Sequence, residues 1–185
     1  MNFPEGTRSE SALIVIDVQV NVVAEAFERD ARIANMQSLV AKARAKGIPV
    51  IWVQHSEEGD LDIGSDGWQI VPELTPLPNE PIIRKIYRSS FEETNLEEVL
   101  ASHSVGHLYI CGAESNHCVR HTSHTALEKG YDITLIGDAH TTTGFEWDGY
   151  VVDAARVIDE MNTNFLRYNL PGRSARVENT ADLWN

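Results

Sequence analysis

Basic residues are scarce in this chain. Its 185 residues include 15 Lys and Arg against 28 Asp and Glu, a formal charge of −13. Phosphates repel so acidic a surface, so neither nucleic acid nor an anionic membrane is an expected partner. Long apolar runs are missing as well: stretches such as Ala12–Ile16 fall far short of the ~20 residues of a membrane span. The N-terminal stretch Met1–Ser11 is polar and has no signal-peptide core. There are only two cysteines, Cys111 and Cys118, too few for a disulfide framework and without a C-x-x-C spacing for zinc. A reducing, cytoplasmic setting is therefore expected, with Cys118 free to act as a thiol. No Gly-x-Gly-x-x-Gly follows the first apolar run and no phosphate loop is present, which disfavours nucleotide binding. Repeats, low-complexity tracts and Pro/Gly linkers are also lacking, so residues 1–185 are read as one domain.

The composition, 42% apolar and 23% charged, is that of a globular protein long enough to bury a core unaided. Strand and helix alternate along it. Residues 12–16, 50–53, 81–87, 107–111 and 133–136 read as strands, with a sixth over 175–179. Helices are expected over 30–46, from the Thr94-Asn-Leu-Glu97 capping box onward, over 116–129 and over 150–168. The last would bury Val151, Ala155, Ile158, Met161 and Phe165. Residues 55–80 read as a long functional loop. Apolar strands without alternation, joined by helices, predict an α/β fold: a three-layer α/β/α sandwich with a mostly parallel, six-stranded, Rossmann-like sheet. Ligands gather at the carboxyl ends of such strands. Asp17, Gln19, His55, Lys85, Gly112–Cys118 and Asp138–His140 all fall there.

Three of these residues form a chemical set. Cys118 opens a helix, where free N–H groups and the dipole favour an anion, so its thiol is expected to ionise readily. The turn Gly112–Cys118 would aim N–H groups beside the sulfur, as an oxyanion hole requires. The plainer reading is a buried, inert thiol, which is also the reading of Cys111. Asp17 ends an apolar strand and is read as a base or as part of a structural hydrogen-bond set. Lys85 is costly to bury unless Asp17 or Cys118 pairs with it; otherwise it reaches solvent. Together the three suggest a cysteine hydrolase. A rival set is His117, His121 and His124, at i, i+4 and i+7 on one helix face, which would make a zinc hydrolase. A non-catalytic binding scaffold is the third reading.

Several segments carry a family resemblance: Ala12-Leu-Ile-Val-Ile-Asp17-Val-Gln19, Lys85 with Phe91 behind it, Gly112-Ala-Glu-Ser-Asn-His-Cys118-Val119, and Gly130-Tyr-Asp-Ile-Thr-Leu-Ile-Gly-Asp138-Ala-His-Thr-Thr. In order and spacing they resemble the isochorismatase-like cysteine hydrolases over almost the whole chain. The resemblance implies a catalytic Asp17, Lys85 and Cys118. It also implies a cis peptide between Ala113 and Glu114, and an oxyanion hole from the Glu114 and Cys118 N–H groups. The implied reaction is cysteine-dependent hydrolysis of a small amide or related C–N bond through a thioester, by a homo-oligomer that needs no cofactor. Gln19, His117 and Trp68 are expected to contact substrate. Nicotinamidase members hold a divalent metal through an Asp and His cluster after the second strand; here Gln54 replaces the Asp, so no such metal is expected. Val22 and Val23 stand where many members carry an aromatic residue.

Overall fold

A computed structural model describes residues 8–184; most of the polar N-terminal stretch lies outside them. Five strands and three helices come first: β1 (Glu10–Ile16), α1 (Arg29–Ala45), β2 (Val50–His55), β3 (Ile82–Lys85), α2 (Leu96–Ser102), β4 (Val105–Ala113), α3 (Arg120–Lys129) and β5 (Asp132–Thr141). They are followed by β6 (Phe145–Trp147), β7 (Tyr150–Val152), α4 (Ala154–Leu166), β8 (Asn169–Leu170) and β9 (Arg173–Glu178). The main sheet runs β3-β2-β1-β4-β5-β9, all parallel, and β8 adds a short antiparallel pair on β9. This is the expected three-layer α/β sandwich.

Both faces of the sheet are buried, which explains the unbroken apolar strands. Within β1, Leu13 and Val15 face α1 and pack with Ile33, Met36, Leu39 and Val40. Ala12, Ile14 and Ile16 face the other way, toward Leu96 and Leu100 of α2, Ala126 and Leu127 of α3, and Met161 and Phe165 of α4. Each large aliphatic side chain so buried contributes about 1.5–3 kcal/mol.

Three expectations are corrected. The last helix starts at Ala154, not at 150. Asp148-Gly149, both at positive φ, form the tight turn of the β6–β7 hairpin, and Asp153 caps the helix by accepting from the Ala155 N–H. Val151 therefore lies exposed on that hairpin, while Ala154 and Val157 join the buried face. Only half of the Thr94–Glu97 capping box forms: Thr94 Oγ1 accepts from the Leu96 N–H at 3.3 Å, while the Glu97 carboxylate pairs with Lys129 instead of turning back. Strands β4 and β5 each run further than the apolar pattern suggests, because parallel pairing continues through Gly112↔His140 and Ala113↔Thr141.

The extension of β4 sets the rim of the sheet. Gly112 has φ +123°, and a Cβ there would lie 2.1 Å from the Ile16 carbonyl oxygen. Only glycine lets β4 approach β1 so closely at the point where Asp17 leaves the sheet. Beyond it, residues Ser115–Val119 make a π turn that leads into α3. That turn is held from below by His140, which is fully buried. His140 Nδ1 accepts from Ser115 Oγ at 2.7 Å, and its Nε2–H donates to Asn162 Oδ1 at 2.9 Å.

Two outcomes are expected. Gly112→Ala destabilises the protein by about 3 kcal/mol, lowering the melting temperature by roughly 6–12 °C in a thermal scan. Burial pulls His140 down from 6.5 to about 4. Its folded value lies below its unfolded one, so its contribution to stability is present above pH 6.5 and is lost as pH falls toward 4. The loss reaches about 3 kcal/mol. His140→Gln removes that share of the acid sensitivity, measured by urea unfolding at pH 7 and pH 4.5.

Candidate active site

Asp17, Lys85 and Cys118 arrive on three separate segments. Asp17 leaves β1 at positive φ (48°), and its N–H donates to the Val53 carbonyl, so the carboxylate turns into the rim rather than along the strand. Lys85 ends β3. It alternates with exposed Arg84 and shares an inward face with Ile83, which sends its four-carbon stem into the protein. Cys118 belongs to the π turn beyond β4.

The three side chains meet. Lys85 Nζ lies 2.7 Å from Asp17 Oδ2, and both side chains are withdrawn from solvent. The same ammonium donates to Cys118 Sγ at 3.2 Å. A third contact, to His55 Nδ1 at 3.3 Å, completes its shell. Burial lowers the pKa of His55 and the Lys85 charge lowers it further, so His55 meets Lys85 as a neutral acceptor. The Asp17 carboxylate is buried, and beside Lys85 it also meets the Cys118 thiol.

The electrostatics correct one expectation. The Cys118 thiol is not acidified by its place before a helix; it is pushed up to about 12. Burial is the main cause, and the Asp17 carboxylate adds to it against the opposing pull of Lys85. Asp17 is itself raised, chiefly by burial. A protonated thiol therefore faces a carboxylate whose proton affinity is enhanced. Cys111 is also shifted strongly upward by burial, and its Sγ points at the Ile14 carbonyl.

A cavity of about 530 Å³ opens over these groups, lined by Asp17, His55 and Cys118 at its floor and by Glu114, His117 and Thr143 on one side. The Ala113–Glu114 peptide beside it is cis. His117 Nδ1 pairs with Glu114 Oε2 at 2.8 Å, and Thr143 Oγ1 donates to Glu114 Oε1. Val22 is on the wall, whereas Val23 is in the core.

Two expected substrate contacts lie elsewhere. Gln19 is fully buried; its Nε2 donates to the His55 and Trp68 carbonyls, and its Oε1 accepts from the His55 N–H. It ties the long loop to β2 instead of lining the cavity. Trp68 donates to Ser56 Oγ, is stacked under Arg84, and walls a different cavity. Conversely, sequence reasoning did not single out Asn21, Glu25, Glu57, Asp60, Leu61, Arg88 and Thr143, all of which line the Cys118 cavity. His55 had a signal, its place at the end of β2; the others lie in loops, where no periodicity marks them.

The residues do not fit a metal. Gln54 brings a neutral amide whose Nε2 donates to the Trp68 carbonyl, in place of a carboxylate, and His55 Nδ1 faces an ammonium rather than a cation site. Among the three helix-face histidines, His121 Nδ1 turns to the His117 carbonyl, and His124 packs between Phe165 and Tyr168. No three His, Cys, Asp or Glu side chains among the described residues are grouped to hold an ion. None of the described helices is long and apolar enough to cross a membrane.

Known proteins resemble the chain along most of its length. The Isochorismatase domain matches residues 11–181. A streptothricin hydrolase of Streptomyces noursei is 37% identical over 136 residues, covering 71% of this chain and 49% of the relative. N-carbamoylsarcosine amidase of an Arthrobacter species is 31% identical over 145 residues, covering 65% of this chain and 54% of the relative. The chain thus spans about half the length of either relative. Among solved structures, an isochorismatase from Pseudomonas putida KT2440 superposes with a TM-score of 0.85 at 30% identity, covering 98% of this chain and 94% of the other. With one domain signature running from β1 past β9, and the same fold in a solved isochorismatase, this chain belongs to the isochorismatase family.

Proposed function

We propose that the protein is a cysteine-dependent hydrolase of a small amide or related C–N bond. One observation carries this reading: a single buried ammonium, Lys85, lies 2.7 Å from Asp17 Oδ2 and 3.2 Å from Cys118 Sγ at the floor of an open cavity. The names of relatives, an amidase and a hydrolase, support the same class.

In the proposed reaction Asp17 takes the thiol proton as Cys118 Sγ attacks the substrate carbonyl. Transfer at the moment of attack suits the raised values of both groups, because neither has to hold an isolated buried charge beforehand. Lys85 remains an ammonium throughout. It stabilises the sulfur as negative charge develops there, and His55 keeps it aimed. The carbonyl oxygen becomes an oxyanion held by the Glu114 and Cys118 N–H groups. Collapse breaks the C–N bond, and the proton on Asp17 goes to the leaving nitrogen. A thioester remains. Water then attacks it, Asp17 accepts the water's proton, and that proton returns to sulfur as the acid leaves. His117, on the cavity wall, is proposed to contact substrate. Gln19 and Trp68 support the wall from behind.

Homo-oligomer formation, also proposed, is supported by the exposed apolar side chains Phe145, Trp147, Tyr150 and Val151 of the β6–β7 hairpin. A cytoplasmic setting, with its reduced thiols, is proposed as well.

Two measurements test the chemistry. Cys118→Ala and Asp17→Asn each retain the fold by circular dichroism and lower ammonia release from a panel of amides, ureides and carbamoyl compounds by about a thousandfold or more. Unchanged turnover in either variant removes the role given to that residue. Iodoacetamide near neutral pH labels Cys118 and leaves Cys111 unmodified, as located by peptide mass spectrometry; equal labelling of the two sinks the nucleophile assignment.

A further inference from the structure

A separate cavity of about 350 Å³ is lined by Asn116 of the π turn, by Arg120 of α3, by Arg156, Val157 and Glu160 of α4, and by Phe145 and Val152 of the β6–β7 hairpin. It shares no lining residue with the Cys118 cavity. Its side chains offer more donors than acceptors. Arg120 spends one terminal nitrogen on Glu160, the one carboxylate in the lining. The Arg120 Nε is buried and has no hydrogen-bond partner among the described residues. Arg156 is exposed and forms no ion pair among them. Asn116 Oδ1 accepts from the Thr142 hydroxyl at 2.7 Å, which leaves Nδ2 as the donor end of the amide. That nitrogen meets His117 Nε2 at 3.4 Å, a long contact that does not use its second proton.

The placement of the two arginines points the same way. Arg120 is the first residue of α3, and Arg156 lies in the first turn of α4. The start of a helix is the positive end of its dipole, where a cation is disfavoured, and neither first turn holds an acidic residue. Two helix starts thus bring two guanidinium groups to one cavity in a chain whose net charge is −13, and a single carboxylate answers them. A buried guanidinium N–H without an acceptor is costly, and a ligand oxygen removes that cost. The rest of the lining, Phe145, Val152 and Val157, is apolar.

We infer that this cavity binds a small organic carboxylate, its oxygens held by Arg120 Nε, Arg156 and Asn116 Nδ2 and its apolar body laid against Phe145, Val152 and Val157. The planar N–H fork of a guanidinium matches a carboxylate, and the volume of about 350 Å³ suits a ligand of several carbons. The inference does not depend on the chemistry assigned to Cys118. It adds a second site, joined to the wall of the first through the contact of Asn116 with His117.

The test titrates the full chain with hexanoate, hexanol and inorganic phosphate at fixed ionic strength, read by isothermal titration calorimetry and by the rise of the melting temperature. Hexanoate is expected to saturate one site per chain with a Kd of about 1 mM or tighter, and at least about tenfold more tightly than either of the others. Arg156→Gln, a change at an exposed position, weakens hexanoate at least about tenfold, and Arg120→Gln does the same. Arg88→Gln, in the Cys118 cavity, leaves hexanoate binding as it is. Equal binding of hexanol, tighter binding of phosphate, binding that does not saturate, or a Kd untouched by Arg156→Gln overturns the inference. So does a loss caused by Arg88→Gln alone, which places the carboxylate in the Cys118 cavity. Sedimentation velocity supplies the last arm: a dimer that hexanoate dissociates assigns the donors to a carboxylate of a second copy and overturns the small-ligand site.

Discussion

The site depends on a positive charge that has been taken out of water. Lys85 is buried at the end of β3, and an ammonium there is tolerable only if its protons find partners. Asp17 supplies the countercharge, and Cys118 and His55 supply the remaining acceptors. Removing one member of such a buried pair costs several kcal/mol, because the other is left unpaired. The same constraint makes the site chemically useful. A carboxylate of raised proton affinity, a thiol that holds its proton at rest, and a fixed cation between them form an arrangement in which one proton can move and the net charge is conserved.

The sheet delivers these groups. Parallel strands all end on one rim, so residues far apart in the chain come together there without any local contact between them. The register of β1 against β4 places Ile16 opposite Gly112, and the absence of a side chain at Gly112 lets the strands stay close where Asp17 and the π turn diverge. Below the turn, His140 clamps Ser115 to Asn162. Above it, Gln19 fastens the long loop to β2, so that loop becomes the cavity's wall rather than a mobile excursion. A residue expected to touch substrate thus serves the scaffold. Its complete set of hydrogen bonds to backbone shows why a strand-end position alone does not make a ligand contact.

Much of this architecture is legible in the chain itself. Apolar runs and the helices between them announce a parallel sheet, because strands covered on both faces have no polar side to alternate. Asp17, Lys85 and Cys118 stand out as charged or reactive residues at the end of an apolar strand or in the turn beyond it. The errors have identifiable causes. Residues 150–152 continue the helical spacing of α4 backwards, but Asp148-Gly149 imposes a hairpin turn that the apolar period does not register. Thr94 and Glu97 have the pattern of a capping box, yet Lys129 of a distant helix competes for the glutamate. The helix N-terminus argued for an acidic thiol, but burial, with a neighbouring carboxylate, raises it instead.

Periodicity and strand-end position are local properties that the order of residues writes directly, and they specify the layers of the fold and the kinds of reactive group at the sheet's rim. Which of those groups meet, and which polar side chains are spent on holding loops, are settled only in the packed chain. Those outcomes depend on distances between segments far apart in sequence, and on a desolvation that exists only once the sheet is covered on both faces.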